Sequence, residues 1–163
     1  MRENADVFVS LHCNALPKGR SAQGVEIYLM ALPSDKHAME LALIENRELV
    51  DGGMEKNEVS DKRTKTLLKI LGDMQQNAKI TESTSFAEIL YRTGESRKLP
   101  MRRVAQAPFY VLRGAAMPSV LVEMGFLTSA SEAAKLKNVK YQQHMAEALS
   151  AGIVEFLKRS DYN

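Results

Sequence analysis

The sequence lacks tryptophan and contains a single cysteine, Cys13. One cysteine excludes an internal disulfide and a paired-cysteine metal knuckle, and it leaves the redox compartment open. Lysine and arginine total 22 against 20 aspartates and glutamates, so the net charge of +2 is too small to indicate a nucleic-acid partner. No apolar run approaches the roughly 18 residues that cross a bilayer. The N-terminal "MRENAD" also lacks the apolar core of a signal peptide.

The composition that is present is typical of one globular domain. Of the 163 residues, 45% are hydrophobic and 26% are charged, which is enough apolar material to bury a core. No internal repeat, low-complexity segment or linker divides the chain. We therefore expect a single domain over residues 1–163.

Short apolar segments mark the predicted strands. "DVFVSL" is a nearly continuous apolar run rich in β-branched and aromatic residues, and it predicts a strand that is covered on both faces. "VEIYLM", residues 25–30, alternates and predicts a second strand. After a long helical region, "APFYVLRG" and "PSVLVEMGF" predict two more strands. Strands separated by helices are typical of an α/β fold.

The pattern between residues 34 and 94 is helical. Ser34 or Asp35 is a candidate N-cap of a first helix that runs through Val50. Ser60 is a candidate cap of a second helix, and its apolar residues recur at helical spacing: Leu67, Ile70, Leu71, Met74 and Ala78. A last piece carries Phe86, Ile89 and Leu90 and is predicted to stop at Gly94. A closing amphipathic helix is marked by Met145, Leu149, Ile153 and Phe156.

Two titratable residues stand where predicted strands end. His12 follows "DVFVSL", and Glu123 follows three apolar residues in "SVLVEMGF". Burying a carboxylate is costly unless it is paired or bound to something. A structural interpretation pairs Glu123 with an arginine such as Arg113. The other interpretation is a site, because α/β sheets bind ligands beyond their strand ends, and His and Glu can supply a metal ligand and a general base. The residues by themselves leave both interpretations open.

The blocks around these residues resemble a known family. "ADVFVSLHCNA" and "FYVLRGAAMPSVLVEMGFLTS" resemble two signature blocks of the zinc-dependent N-acetylmuramoyl-L-alanine amidases of the amidase-3 type, and "QGVEIYLM" resembles the strand between them. The resemblance covers nearly the whole chain. It implies a mixed, six-stranded sheet flanked by helices, of the zinc-exopeptidase-like kind. It also implies hydrolysis of the amide between N-acetylmuramic acid and the L-alanine of peptidoglycan.

The resemblance implies roles for individual residues. His12 matches a zinc ligand, in the block that reads "SIHAN" in the family, and Glu123 matches the catalytic acid/base of the "VExGF" block. The family's first zinc histidine, in a "DPGHGG"-like motif, and its glutamate ligand have no match in this chain. We therefore expect an N-terminally truncated amidase domain that is inactive by itself. His37, His144 and Cys13 match no ligand or nucleophile motif.

The helical region resembles a regulatory segment. "HAMELALIENRELVDGG" and "LLKILGDMQQNAKITESTSFAEIL" resemble the extra segment of the cell-division amidases of Gram-negative bacteria, which implies a regulatory insertion at about residues 34–94. In those enzymes the segment covers the active site, a glutamate from it binds the zinc, and a LytM-type partner releases the block. Glu45 is the matching position here. The alternative is that Glu40, Glu45 and Glu48 form a solvated helix face.

Two functions remain open at this point. The first is a zinc amidase that acts on peptidoglycan in the periplasm or cell envelope during daughter-cell separation. It would have a LytM-type activator, no nucleic-acid partner and no membrane span. The second is a non-catalytic fragment that binds cell-wall peptide or a regulatory partner. The zinc content of the purified protein separates the two.

Overall fold

The structure, a computed structural model, describes residues 5–16, 22–50 and 78–160. Its strands are β1 (Phe8–Asn14), β2 (Val25–Met30), β3 (Met101–Ala107) and β4 (Ser119–Phe126). Its helices are α1 (Lys36–Val50), α2 (Ala78–Ser96), α3 (Ala130–Leu136) and α4 (Val139–Ser160). A single 3-10 turn spans Tyr110–Leu112.

The four strands form one mixed sheet in the order β1-β4-β2-β3. The strand β4 pairs with β1 in parallel and with β2 in antiparallel fashion, and β2 pairs with β3 in parallel. The predicted α/β class with a mixed sheet flanked by helices is therefore confirmed. The resemblance implied six strands, and the described residues contribute four.

Apolar layers cover both faces of the sheet. On one face α2 and α4 pack together, with the rings of Phe86 and Phe156 4.7 Å apart between centroids. On the other face α1 and the 3-10 turn cover Tyr28, whose ring meets Phe109 edge-on at 5.1 Å. Because side chains alternate along a strand, Ile27 belongs to the first layer and Tyr28 to the second. The same alternation places Glu26 of β2 and Glu123 of β4 on the face that α1 covers.

The prediction that "APFYVLRG" is a strand is wrong. The strand ends at Ala107, and Tyr110–Leu112 turns as a 3-10 helix. Pro108 has no backbone N–H with which to continue the ladder, so pairing stops there. The actual strand, "MRRVAQA", was missed because two adjacent arginines hide its apolar alternation.

The expectation that the first strand is covered on both faces is also wrong. Leu11 is 53% exposed and Phe8 is 38% exposed. Within the described residues β1 lies at the edge of the sheet and pairs only with β4. An edge strand has a neighbouring strand on one side only, which leaves these side chains partly open to solvent.

The predicted helices are confirmed in part. Asp35 caps α1, since its Oδ1 accepts a hydrogen bond from the Ala38 N–H at 2.8 Å. The predicted second helix, apart from Ala78, lies outside the described residues. The helix α2 does not stop at Gly94, which lies inside it at a position where a Cβ would clash with the Met101 side chain. Among the described residues, no helix is both long and apolar enough to cross a membrane.

Candidate active site

His12 and Glu123 lie side by side on neighbouring strands. The parallel ladder between β1 and β4 pairs them directly, so their side chains leave the same face of the sheet. Leu121, two residues before Glu123, belongs to the apolar layer beneath α1, and alternation therefore places Glu123 on that face too. The register thus brings the two strand-end residues together under α1.

Glu45 reaches the same point from α1. Its Oε2 lies 2.7 Å from Nδ1 of His12, and both side chains are largely shielded from solvent. The next residue, Asn46, anchors the helix, because its amide donates to the Pro108 carbonyl at 2.8 Å and accepts from the Tyr110 N–H at 2.7 Å. The position of Glu45 is therefore fixed by contacts one residue away. The solvated-face alternative is wrong for Glu45, whereas Glu40 is half-buried and lies outside this group.

The three side chains form a compact set of metal donors. The ligand atoms of His12, Glu45 and Glu123 all lie within 4.8 Å of one another. An imidazole nitrogen with carboxylate oxygens is a donor set that suits zinc. The residues present therefore fit a zinc ion, because their donor types suit zinc and their ligand atoms lie close together.

The electrostatics of Glu123 are unusual for a carboxylate. Its side chain is fully buried, and within the described residues neither of its oxygens has a hydrogen-bond partner. Burial first, and then the nearby carboxylates of Glu45 and Glu26, raise the pKa of Glu123 to about 8. The proposed pairing with Arg113 is not present, and that arginine is exposed. Without a cation, Glu123 is therefore mostly protonated at neutral pH.

Sequence reasoning missed a second buried carboxylate, Glu26. It lies directly opposite Glu123 in the antiparallel pair of β2 and β4, and it is fully buried. Unlike Glu123, it is well paired. Its Oε2 accepts from the Tyr28 hydroxyl at 2.7 Å, and its Oε1 accepts from Arg103 at 3.0 Å and from Arg102. The signal was present in the sequence as a charged residue inside an otherwise apolar strand, "VEIYLM", followed later by adjacent arginines.

Arg103 ties this pair to the start of α1. Its Nη1 donates to Asp35 at 2.6 Å, and its Nη2 lies 2.8 Å from both the Tyr28 hydroxyl and the Nδ1 of His37. His37 therefore contacts Arg103, and it does not belong to the group of metal donors formed by His12, Glu45 and Glu123. His144 is exposed on α4, away from these residues. Cys13 is half-buried, and burial together with Glu123 raises the pKa of its thiol, which does not favour a nucleophile.

The sequence profile of the N-acetylmuramoyl-L-alanine amidases of the amidase-3 type matches residues 1–155. The chain belongs to this family. The family that the resemblance predicted is therefore confirmed.

Individual relatives agree with this assignment. The chain is 32% identical over 155 residues to the amidase AmiC of Escherichia coli O6:H1, covering 93% of this chain and 36% of AmiC. It is 29% identical to AmiA of Escherichia coli K12, covering 95% of this chain and 53% of AmiA. A crystal structure of an N-acetylmuramoyl-L-alanine amidase from Clostridium difficile 630 superposes with a TM-score of 0.62 at 26% identity, covering 94% of this chain and 59% of that one. The chain thus spans between 36% and 59% of the length of these relatives.

Proposed function

We propose that the full-length protein is a zinc-dependent hydrolase of the amide bond between N-acetylmuramic acid and L-alanine in peptidoglycan. The observation that supports this proposal most strongly is the convergence of His12, Glu45 and Glu123 from three different elements. Their donor atoms suit zinc, and the family is one of amidases that act on this bond. Zinc, when bound, supplies a Lewis acid for the scissile carbonyl and lowers the pKa of a water molecule.

His12 and Glu123 have different roles in the proposed reaction. His12 offers an imidazole nitrogen to the metal. Glu123 acts as general base by accepting a proton at a carboxylate oxygen from the attacking water, and it then donates that proton to the nitrogen of the leaving L-alanine. Because both of its oxygens lack partners in the described residues, either is available for the transfer. A positive charge nearby is needed to keep the carboxylate ionised, given its raised pKa.

Glu45 fits the role of an internal inhibitor. It is carried by α1, which lies within the insertion predicted at about residues 34–94, and its carboxylate lies 2.7 Å from Nδ1 of His12. We infer that the substrate carbonyl would approach the metal on this side. A carboxylate held there competes with a substrate carbonyl for the metal. We propose that a LytM-type partner displaces α1, as the likeness to the cell-division amidases implies, and that the enzyme works in the periplasm or cell envelope during daughter-cell separation.

The test is digestion of purified peptidoglycan by the full-length protein. Mass spectrometry should find glycan strands without peptides, together with free stem peptides that begin with L-alanine. Bound zinc should be stoichiometric, and chelation should stop the release of peptides. If the protein binds peptidoglycan and releases no peptides with zinc bound and the activator present, it is a non-catalytic binding module and the proposal is wrong.

A further inference from the structure

Arg102 is a cationic side chain at the candidate site that the catalytic roles above do not use. The ladder between β2 and β3 shifts register between Val25 and Glu26, so Arg102 is the extra residue of a β-bulge. The bulge lets two consecutive arginines meet the same carboxylate, that of Glu26. Since Glu26 lies opposite Glu123, this places both guanidinium groups on the face that carries His12 and Glu123.

The two arginines differ in how many of their donors are used. Arg103 engages all three nitrogens, through Glu26, Asp35 and the pair Tyr28 and His37. Within the described residues Arg102 engages only Nη1, through Glu26, and its side chain remains 40% exposed. Arg103 is therefore a structural residue, whereas Arg102 keeps Nε and Nη2 as unused donors, which suit a ligand with acceptor oxygens.

The guanidinium of Arg102 is also held in place. Its Cζ lies 5.8 Å from the centre of the Phe126 ring. A carboxylate on one side and an aromatic ring near the other fix the plane of the group. A fixed planar fork is the geometry that recognises a carboxylate through two hydrogen bonds.

The distances suit a peptide that lies across the sheet. Neighbouring strands are about 4.8 Å apart, so a guanidinium above β2 lies roughly one strand spacing from Glu123 on β4. An extended peptide advances about 3.3–3.6 Å per residue. Two residues advance about 7 Å, which is close to one strand spacing plus a hydrogen bond of about 2.9 Å. A carboxylate on the second residue after the scissile amide is therefore expected within reach of Arg102 when that amide lies beside Glu123.

We propose that Arg102 is a specificity-determining residue that binds a free carboxylate on the second residue of the stem peptide. This inference rests on the proposed function, because it takes the scissile amide to lie at His12 and Glu123. It gives the site a preference for acidic over amidated peptides. Within the described residues, Arg102 touches the buried Glu26, keeps unused donors and remains partly exposed.

The test compares two muramoyl tripeptides, N-acetylmuramoyl-L-alanyl-γ-D-glutamyl-L-lysine and the same compound with the α-carboxyl of its second residue amidated. Binding is measured by calorimetry on the zinc-loaded full-length protein carrying Glu45→Ala, which removes the proposed block, and Glu123→Gln, so that no turnover is required. We expect roughly tenfold tighter binding of the free acid, which is the effect of a charge-assisted hydrogen bond. Adding Arg102→Gln should reduce that preference to within about twofold while leaving binding of the amide unchanged. Arg92→Gln, which removes an exposed arginine from α2, should keep the full preference.

Each other outcome overturns the inference. Equal binding of the two tripeptides without the Arg102 change would show that no group reads the carboxylate. Equal weakening of both by Arg102→Gln would show that Arg102 acts only by supporting Glu26. If Arg102→Gln lowers the melting temperature, Arg102→Lys keeps a charge beside Glu26 but lacks the fork, and a preference undiminished in that variant counts against the proposal. Hydrolysis of the free acid by the protein with Glu123 intact is scored separately, and its absence rejects the proposed function and not the recognition.

Discussion

Glu123 is fully buried, its two oxygens have no hydrogen-bond partner among the described residues, and its neighbour His12 can bind metal. Replacing it by Gln keeps the shape of the side chain and removes the proton acceptor. In the full-length protein we expect Glu123→Gln to retain zinc and to lose roughly 10²–10⁴-fold in turnover, which is the contribution typical of general acid–base catalysis. Steady-state release of peptide from peptidoglycan measures the loss, and Glu88→Gln on α2 is the matched control. Turnover equal to that of the control would rule out the role.

The raised pKa of Glu123 also predicts how stability depends on pH. Since the folded-state pKa of about 8 lies above the ordinary value of 4.5, the folded chain binds an extra proton between these values. The contribution of this group to the free energy of unfolding is therefore complete below about pH 4.5 and is lost as the pH rises through about 8.

Thermal melts of the metal-free protein between pH 5 and pH 9 measure this slope. The loss of stability should be reduced in Glu123→Gln, which has no proton to lose. It should also shrink when zinc is added, because the cation favours the ionised carboxylate. If the melting temperature falls with pH equally in the wild-type protein and in Glu123→Gln, Glu123 is not the titrating group.

The sequence allowed the residues of the site to be named, but not its electrostatics. His12 and Glu123 were identified because each follows an apolar run in the sequence, although both lie inside their strands, and Glu45 was identified through the family resemblance. Glu26, Arg102 and Arg103 were missed, since their pairing depends on the register between β2, β3 and β4, which no local pattern encodes. The raised pKa of Glu123 follows from those same long-range contacts.

At the scale of elements, the regulatory hypothesis concerns α1, the helix that contains Glu45. If Glu45 blocks the site, then Glu45→Ala should raise the activity of the full-length protein several-fold in the absence of its partner. The contact of 2.7 Å between Glu45 and His12 would be lost, and the substrate carbonyl would meet no competing carboxylate. Peptide release without an activator is the measurement. Glu88→Ala, which removes an exposed carboxylate from α2, should leave it unchanged. Basal activity that stays level or falls in Glu45→Ala would mean that Glu45 does not provide the block.

Helices and strands could be predicted where the signal, a cap or an apolar run, lies within a few residues of the element itself. The Asp35 cap and the apolar runs of β2 and β4 each lie within a few residues of sequence, and they agree with the structure. The third strand was misplaced because Arg102 and Arg103 break the expected alternation, and their partner Glu26 is about 76 residues away along the chain. The extent of α2 was misjudged because Gly94 stays helical against Met101, a contact made after the chain turns back.

At the scale of the whole molecule, the position of β1 at the edge of the described sheet predicts self-association of the 163-residue chain. Within the described residues β1 pairs only with β4, and Leu11 and Phe8 are exposed on it. Strands of this kind recruit another strand through unpaired backbone groups. Light scattering should find dimers or larger species, and Leu11→Lys should shift them toward monomer. A monodisperse monomer with Leu11 in place would contradict this prediction.

The central claim is that His12, Glu45 and Glu123 surround a zinc ion. Anomalous X-ray diffraction at the zinc edge, from crystals of the zinc-loaded full-length protein, tests it most directly. We predict a single strong peak at about 2.0–2.2 Å from an imidazole nitrogen of His12 and a carboxylate oxygen of Glu45, with Glu123 beside it. A peak at His37 or His144, or no peak near His12 at full zinc loading, would contradict the claim.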